Sequence, residues 1–185
     1  MNTVLREGAG TPLRIAPQDF EVHRVEHNTQ AATCLLLDRS RSMGYYGNWG
    51  AAKKVAIALH TLIRSQYPRD TLYVLGFSEA AIRFYDEDLP DLNWDIHVSG
   101  TNMHHAFMLS RKLLSKHKGS TRQIIMITDG EPTAHLEQGI PYFSYPPSHR
   151  TVSETLKEAR RCNQEGIAIN TFMLENNYQL MEFIS

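Results

Sequence analysis

The stretch ATCLLLDRSRSMG, residues 32–44, decides how the rest of the chain is read. It opens as a short apolar run with no polar face, which is what a strand buried on both sides of a parallel sheet requires. The run stops at Asp38, and Ser40 and Ser42 follow it. Three oxygen-bearing side chains therefore stand on alternate residues where the chain leaves the strand. Alternate residues of an extended segment point the same way, so all three can serve one point beyond the strand end.

Working outward, the same kind of buried run recurs in TLYVLGFS (71–78), RQIIMITDG (122–130) and IAINTFML (167–174). Between these runs the period changes to that of a helix. Residues 48–66 place Ala52, Val55, Ala56, Leu59, Leu62 and Ile63 at helical spacing, with Lys53, Lys54, His60 and Arg64 on the other faces. A second helix is expected over 102–117 and a third over 153–166, the latter opening with a capping-box pattern and stopping at Gly166. AAIRFY (80–85) follows the second strand too closely for a crossover, so a hairpin with an antiparallel edge strand is expected there. The fold class is α/β: a doubly wound, Rossmann-like, mostly parallel central sheet with one antiparallel edge strand and helices on both faces. Its functional loops should collect at the strand carboxyl ends.

Length and composition set the outer limits. A chain of 185 residues suits one domain around one sheet. Residues 1–18 carry Gly8, Gly10, Pro12 and Pro17 and read as an irregular lead-in, with the domain over 19–185. Phe20–His27 has the imperfect alternation of an edge strand. Residues 176–185, NNYQLMEFIS, begin what reads as one more helix, so the last helix and strand of the fold are expected to be missing, leaving an open sheet edge or groove. Net charge is −1 and the basic residues are scattered, which argues against nucleic acid or a membrane surface as partner. Cys34 and Cys162 lack metal-ligand spacing and read as buried, reduced thiols. With no signal-peptide core and no apolar run of membrane-spanning length, a cytoplasmic protein is expected.

The chemistry gathers at the strand ends. Asp38 and Asp129 each close a buried strand, and Thr101 lies at the mouth of a helix, so the fold brings them to one face together with Ser40 and Ser42. Two carboxylates and three hydroxyls make a hard oxygen set that suits Mg²⁺, with Mn²⁺ or Ca²⁺ next. A D-x-S-x-S match alone arises by chance in roughly one sequence in twenty of this length. The strand before it, the helix after it, Thr101 and the second strand-end aspartate add the specificity.

DRSRS, SGTNM and TDGEPT occur in that order, and with them the sequence resembles a von Willebrand factor A-type (VWA) domain carrying a metal-ion-dependent adhesion site. The resemblance spans about residues 30 to 175. It implies direct coordination by Ser40, Ser42 and Thr101, with Asp38 and Asp129 acting through water, and an open position that takes an Asp or Glu side chain from a partner protein. Bacterial intracellular members of the family often work beside AAA+ ATPases, so the resemblance also implies such a partner. One departure is Arg41, which stands where the family often has glycine. A side chain is tolerated there if the backbone keeps a negative φ.

Several neighbours of the site have more than one reading. Arg39 and Arg41 either repel a metal, receive an acidic partner or are solvated surface cations. Tyr45, Tyr46 and Trp49, and Tyr142, Phe143 and Tyr145 on a Pro-rich loop after Asp129, are either interface anchors or packing over the sheet top. His104 and His105 fall on the first turn of a helix beside Thr101 and read as packed rather than ligating, and Glu131 as a loop carboxylate. A Mg²⁺-dependent phosphoryl-transfer or hydrolytic enzyme using Asp38 is one alternative. It lacks the second acid two residues on, a phosphate loop and a nucleophile elbow. A degenerate, metal-free scaffold is the other. Asp38, read as lying at the surface end of its strand, is expected to serve the ion rather than the fold.

Overall fold

The computed structural model describes residues 30–45, 47–94, 97 and 99–174. The readings placed on residues 1–29 and 175–185, and on Tyr46, lie outside these. The central sheet has five strands: β1 (Ala31–Asp38), β2 (Thr71–Phe77), β3 (Ala81–Phe84), β4 (Thr121–Thr128) and β7 (Ile167–Met173). Their spatial order is β3-β2-β1-β4-β7, parallel throughout except for the antiparallel β2–β3 hairpin. Three helices complete the layers: α1 (Asn48–Gln66), α2 (Met103–Leu114) and α3 (His149–Gln164).

Alternation along β1 explains the layering. Ala32, Cys34 and Leu36 point into one core, which α2 and α3 close with Met103, Ala106, Phe107, Leu114 and Cys162. Leu35 and Leu37 point into the other, which α1 closes with Trp49, Ala52, Ala56 and Ile63. β1 is thus covered on both sides, as a run with no polar face demands. From β1 the chain adds β2 on one side and β4 on the other, so the crevice where strand order reverses opens beside the end of β1. Asp38 ends β1 and Asp129 follows β4 directly, which places both carboxylates at that crevice.

Two boundaries differ from expectation. α3 begins four residues before Ser153: Ser148 caps it, its Oγ accepting the Thr151 N–H at 3.1 Å. The first turn of α3 buries Thr151, and Thr155 is buried one turn on, so the buried stripe there is polar and leaves no apolar period to read. The Pro-rich loop after Asp129 is in part a second, two-stranded sheet, β5 (Ala134–Glu137) paired antiparallel with β6 (Ile140–Phe143). Gln138 and Gly139 make its two-residue turn, both with positive φ (49° and 85°), as a tight hairpin turn matching strand twist requires. All four residues of β6 are exposed, and Pro141 pairs with Leu136 within it.

Candidate functional site

The loop leaving β1 folds back on its own aspartate. The Ser40 N–H donates to Asp38 Oδ1 at 2.8 Å, and the Thr128 hydroxyl, from the end of β4, donates to Asp38 Oδ2 at 2.5 Å. Residues Arg41–Gly44 then wind into a 3-10 turn, which requires negative φ at Arg41, so the residue between the serines fits without strain. That turn carries Ser42 back over Ser40, their Oγ atoms 3.0 Å apart, and the Ser42 hydroxyl donates to Asp129 Oδ1 at 2.9 Å. Asn48, the first residue of α1, approaches the other oxygen of Asp129 with its Nδ2 at 3.4 Å.

Ser40, Thr101 and Asp129 are buried at the bottom of an open cleft of about 640 Å³. Ser40, Ser42, Thr101 and Asp129 line it; Arg41, Tyr45, Glu131, Phe143 and Tyr145 form its walls and rim. Asp38 lies behind this floor at 0% exposure, which corrects the expectation of a surface position: its carboxyl serves the fold as well as the site. Burial pushes its pKa up to about 7; the bonds from Thr128 and Ser40 oppose that rise and the nearby Asp129 adds to it. The oxygen separations of 2.9–3.0 Å are those of hydrogen-bonded pairs. They are also about the spacing of neighbouring oxygens around an octahedral cation bound at roughly 2.1 Å. Among the described residues no three His, Cys, Asp or Glu side chains gather into a metal cluster, so a cation here would depend on hydroxyl and water oxygens.

Not every residue read as a partner contact reaches the cleft. Trp49 is 7% exposed and packs beneath α1 in the core with Met43 and Ala52, so it is a core residue and not an anchor. Its helical position points to the sheet, which the aromatic-rich local sequence hides. Arg39 turns the other way from Arg41: its Nε donates to the Asn93 carbonyl at 2.8 Å and its guanidinium lies 5.2 Å from the Phe84 ring centroid. Gly76 makes room for it, since a Cβ there would come within 2.7 Å of Arg39 Cδ. Arg39 therefore braces the β3 edge and is no part of the cleft wall. Tyr142 stacks edge-on against His135 at 5.3 Å, outside the cleft lining.

His104 and His105 are packed, as expected. His104 Nδ1 accepts the Leu136 N–H at 3.2 Å and His105 Nδ1 accepts the Ala81 N–H at 3.1 Å, while burial holds both imidazoles below their ordinary pKa. Both cysteines are free and buried, and burial pushes each thiol up to about 12, far from reactive. Sequence reasoning passed over Thr128, Asn48 and Thr133. Thr128 and Thr133 stood in plain view as the first and last residues of TDGEPT; Asn48 has no signal beyond its nearness to the motifs.

A family model described as "Rv0959-like protein, vWA domain" matches residues 31–185. The chain belongs to that family. The Rv0959-like assignment agrees with two curated relatives, the uncharacterized proteins Rv0959 of Mycobacterium tuberculosis and Mb0984 of Mycobacterium bovis. Each is 35% identical over 99% of this chain. This chain spans only 28% of their length. Among solved structures, the von Willebrand domain of the pilus tip protein Mfa5 from Porphyromonas gingivalis superposes with a TM-score of 0.61 at 13% identity, covering 84% of both chains. The pilus adhesin SpaC from Lactobacillus rhamnosus GG gives 0.62 at 16% identity, covering 86% of this chain and 27% of its own. These likenesses establish the vWA fold. No helix among the described residues is long and apolar enough to cross a membrane.

Proposed function

We propose that this Rv0959-like vWA domain is a protein-binding module that grips an acidic side chain of its partner through a divalent cation, Mg²⁺ before Mn²⁺ or Ca²⁺. Ser40, Ser42 and Thr101 would hold the ion, with Asp38 and Asp129 balancing its charge through water. The observation that carries this reading is the chain of oxygens from Ser40 through Ser42 to Asp129 on the floor of an open cleft. A cation there would also relieve the mutual repulsion of two buried carboxylates. Membership of the vWA family and the exposed wall of Tyr45, Phe143 and Tyr145 support a protein rather than a small molecule as ligand. Arg41, exposed on the same wall, adds a cation for an acidic partner surface.

Catalysis by Asp38 is disfavoured on geometry. Its two oxygens accept from Ser40 and Thr128 and its side chain has no exposure, so no attacking trajectory leads from it to a substrate in the cleft. The family resemblance puts a cytoplasmic AAA+ ATPase assembly first among partner classes. Isothermal titration of the metal-stripped domain with Mg²⁺ and Mn²⁺, beside the Ser40→Ala/Ser42→Ala variant, tests the cation site. One-site saturable binding that the variant lacks is expected. No saturable binding by the wild type would leave a metal-free scaffold.

A further inference from the structure

Thr101 is the one residue of the cation set that comes from neither the β1 loop nor the end of β4, so something else must fix its position. That something is Thr133. The Thr133 hydroxyl accepts the Thr101 N–H at 2.9 Å, and the Thr133 N–H donates back to the Thr101 carbonyl at 3.2 Å. The Ala134 N–H shares that carbonyl at 3.4 Å. Both peptide groups of Thr101 are thereby held by the residue that opens the β5–β6 hairpin. The packing around this clamp is close: Gly100 sits at φ +113°, and a Cβ on it would come within 3.2 Å of both Ala134 Cβ and Phe143 Cδ2.

The clamp reaches the rim as well. The Thr133 carbonyl accepts the Ser144 N–H at 2.9 Å, and Ser144 lies between Phe143 and Tyr145, two of the exposed aromatics of the cleft wall. Elsewhere the hairpin is anchored by buried side chains, His135 Nδ1 lying 3.0 Å from Thr151 Oγ1 on α3 and His104 receiving Leu136. It is a fixed element and not a loose loop.

We infer that Thr133 is a positioning residue for the cation site, and that through it the aromatic hairpin and the ion form one coupled unit. Filling the cation site then makes opening of the already fixed hairpin rarer still, and a partner seated on Phe143 and Tyr145 raises cation affinity, since linkage between two sites is reciprocal. The partner class this selects is a protein whose acidic residue is flanked by apolar or aromatic side chains. The inference rests on the cation reading above and is tested so that the two can fail separately.

The experiment titrates Mg²⁺ into the metal-stripped wild type, Thr133→Val and Thr133→Ser, and follows amide hydrogen exchange of residues 133–144 with and without Mg²⁺. Valine keeps the shape of the side chain and removes its acceptor, so Thr133→Val should bind Mg²⁺ at least about 10-fold more weakly, the usual cost of losing an outer-shell partner. Thr133→Ser, which keeps the hydroxyl, should stay within about 2-fold of wild type. Mg²⁺ should slow exchange across the hairpin of the wild type, a readout that needs no variant to fold. Equal Mg²⁺ affinity in Thr133→Val and wild type, equal weakening in both variants, or hairpin exchange indifferent to saturating Mg²⁺ would each overturn the inference while leaving the cation site in place. A wild type that binds no Mg²⁺ overturns the cation reading and this inference with it.

Discussion

On and behind the floor of the cleft Asp38, Ser40, Ser42, Thr128 and Asp129 are joined by hydrogen bonds of 2.5 to 3.0 Å. On the rim Tyr45, Phe143 and Tyr145 stand 51%, 47% and 80% exposed, and Arg41 is exposed beside them. The floor spends its polar groups on one another, and each fixes the geometry of the next. The rim leaves large side chains in water, where they contribute little to the fold and are available to something else. On the function proposed above, affinity for an ion and choice of partner fall to different residues, and floor and rim meet at Thr133 and where the Tyr45 N–H donates to the Ser42 carbonyl at 2.9 Å.

Changing the charge on the floor should produce the largest effect. The Asp38 carboxyl holds its proton in the fold up to about pH 7, whereas the unfolded chain releases it near the ordinary value of 3.8. Its contribution to stability is complete below that ordinary value and is lost as pH rises toward 7, with no further change above. From this group alone the metal-free domain should lose on the order of 3 kcal/mol between pH 5 and pH 8. Urea unfolding of wild type and Asp38→Asn at both values isolates the term, and Mg²⁺ at pH 8 should recover much of it in the wild type only. Parallel pH profiles for the two proteins would show that the carboxyl is not the titrating group.

Cutting the floor's hydrogen bonds comes next. At pH 5, where the Asp38 carboxyl is neutral, Asp38→Ala strands the Thr128 hydroxyl and the Ser40 N–H and should cost about 2 kcal/mol in the same unfolding assay. At pH 8 the loss should vanish or turn into a small gain, because the variant also removes the buried charge that destabilises the wild type there. A larger penalty at pH 8 than at pH 5 would contradict the assigned burial. On the rim the expectation is close to nothing: Tyr145→Ala should shift stability by less than about 0.5 kcal/mol and leave Mg²⁺ affinity unchanged. A drop of several degrees in melting temperature would mean that Tyr145 packs rather than waits.

The floor was the part legible in the sequence, and the rim was not. Strands β1, β2 and β4 announced themselves because strands covered on both faces must be apolar, whereas β7, read as another such run, is an edge strand among the described residues with Ala168, Asn170 and Phe172 exposed; Asp38 and Asp129 stood out because a charge at the end of a buried run needs a reason. The hairpin escaped because its strands are four residues long and its Gln138-Gly139 turn lacks the usual Asn or Asp. Trp49 and Arg39, each left with more than one reading, stayed undecided for a different cause. Whether an aromatic or a long cation near a site faces it depends on what lies across the sheet, here the core under α1 and the ring of Phe84, and no local pattern carries that. Thr133 shows the same limit, since its worth lies in a contact with a residue 32 positions away.

One feature of the hairpin bears on how the protein survives in a crowded cell. A two-stranded ribbon with one fully exposed strand, carrying Ile140, Tyr142 and Phe143, offers the kind of edge on which chains add to one another and aggregate. Pro141 sits in the middle of that strand and has no amide proton to give. A neighbouring strand arriving there finds a gap in the ladder, so the aromatic surface can stay uncovered for a specific partner without inviting copies of itself.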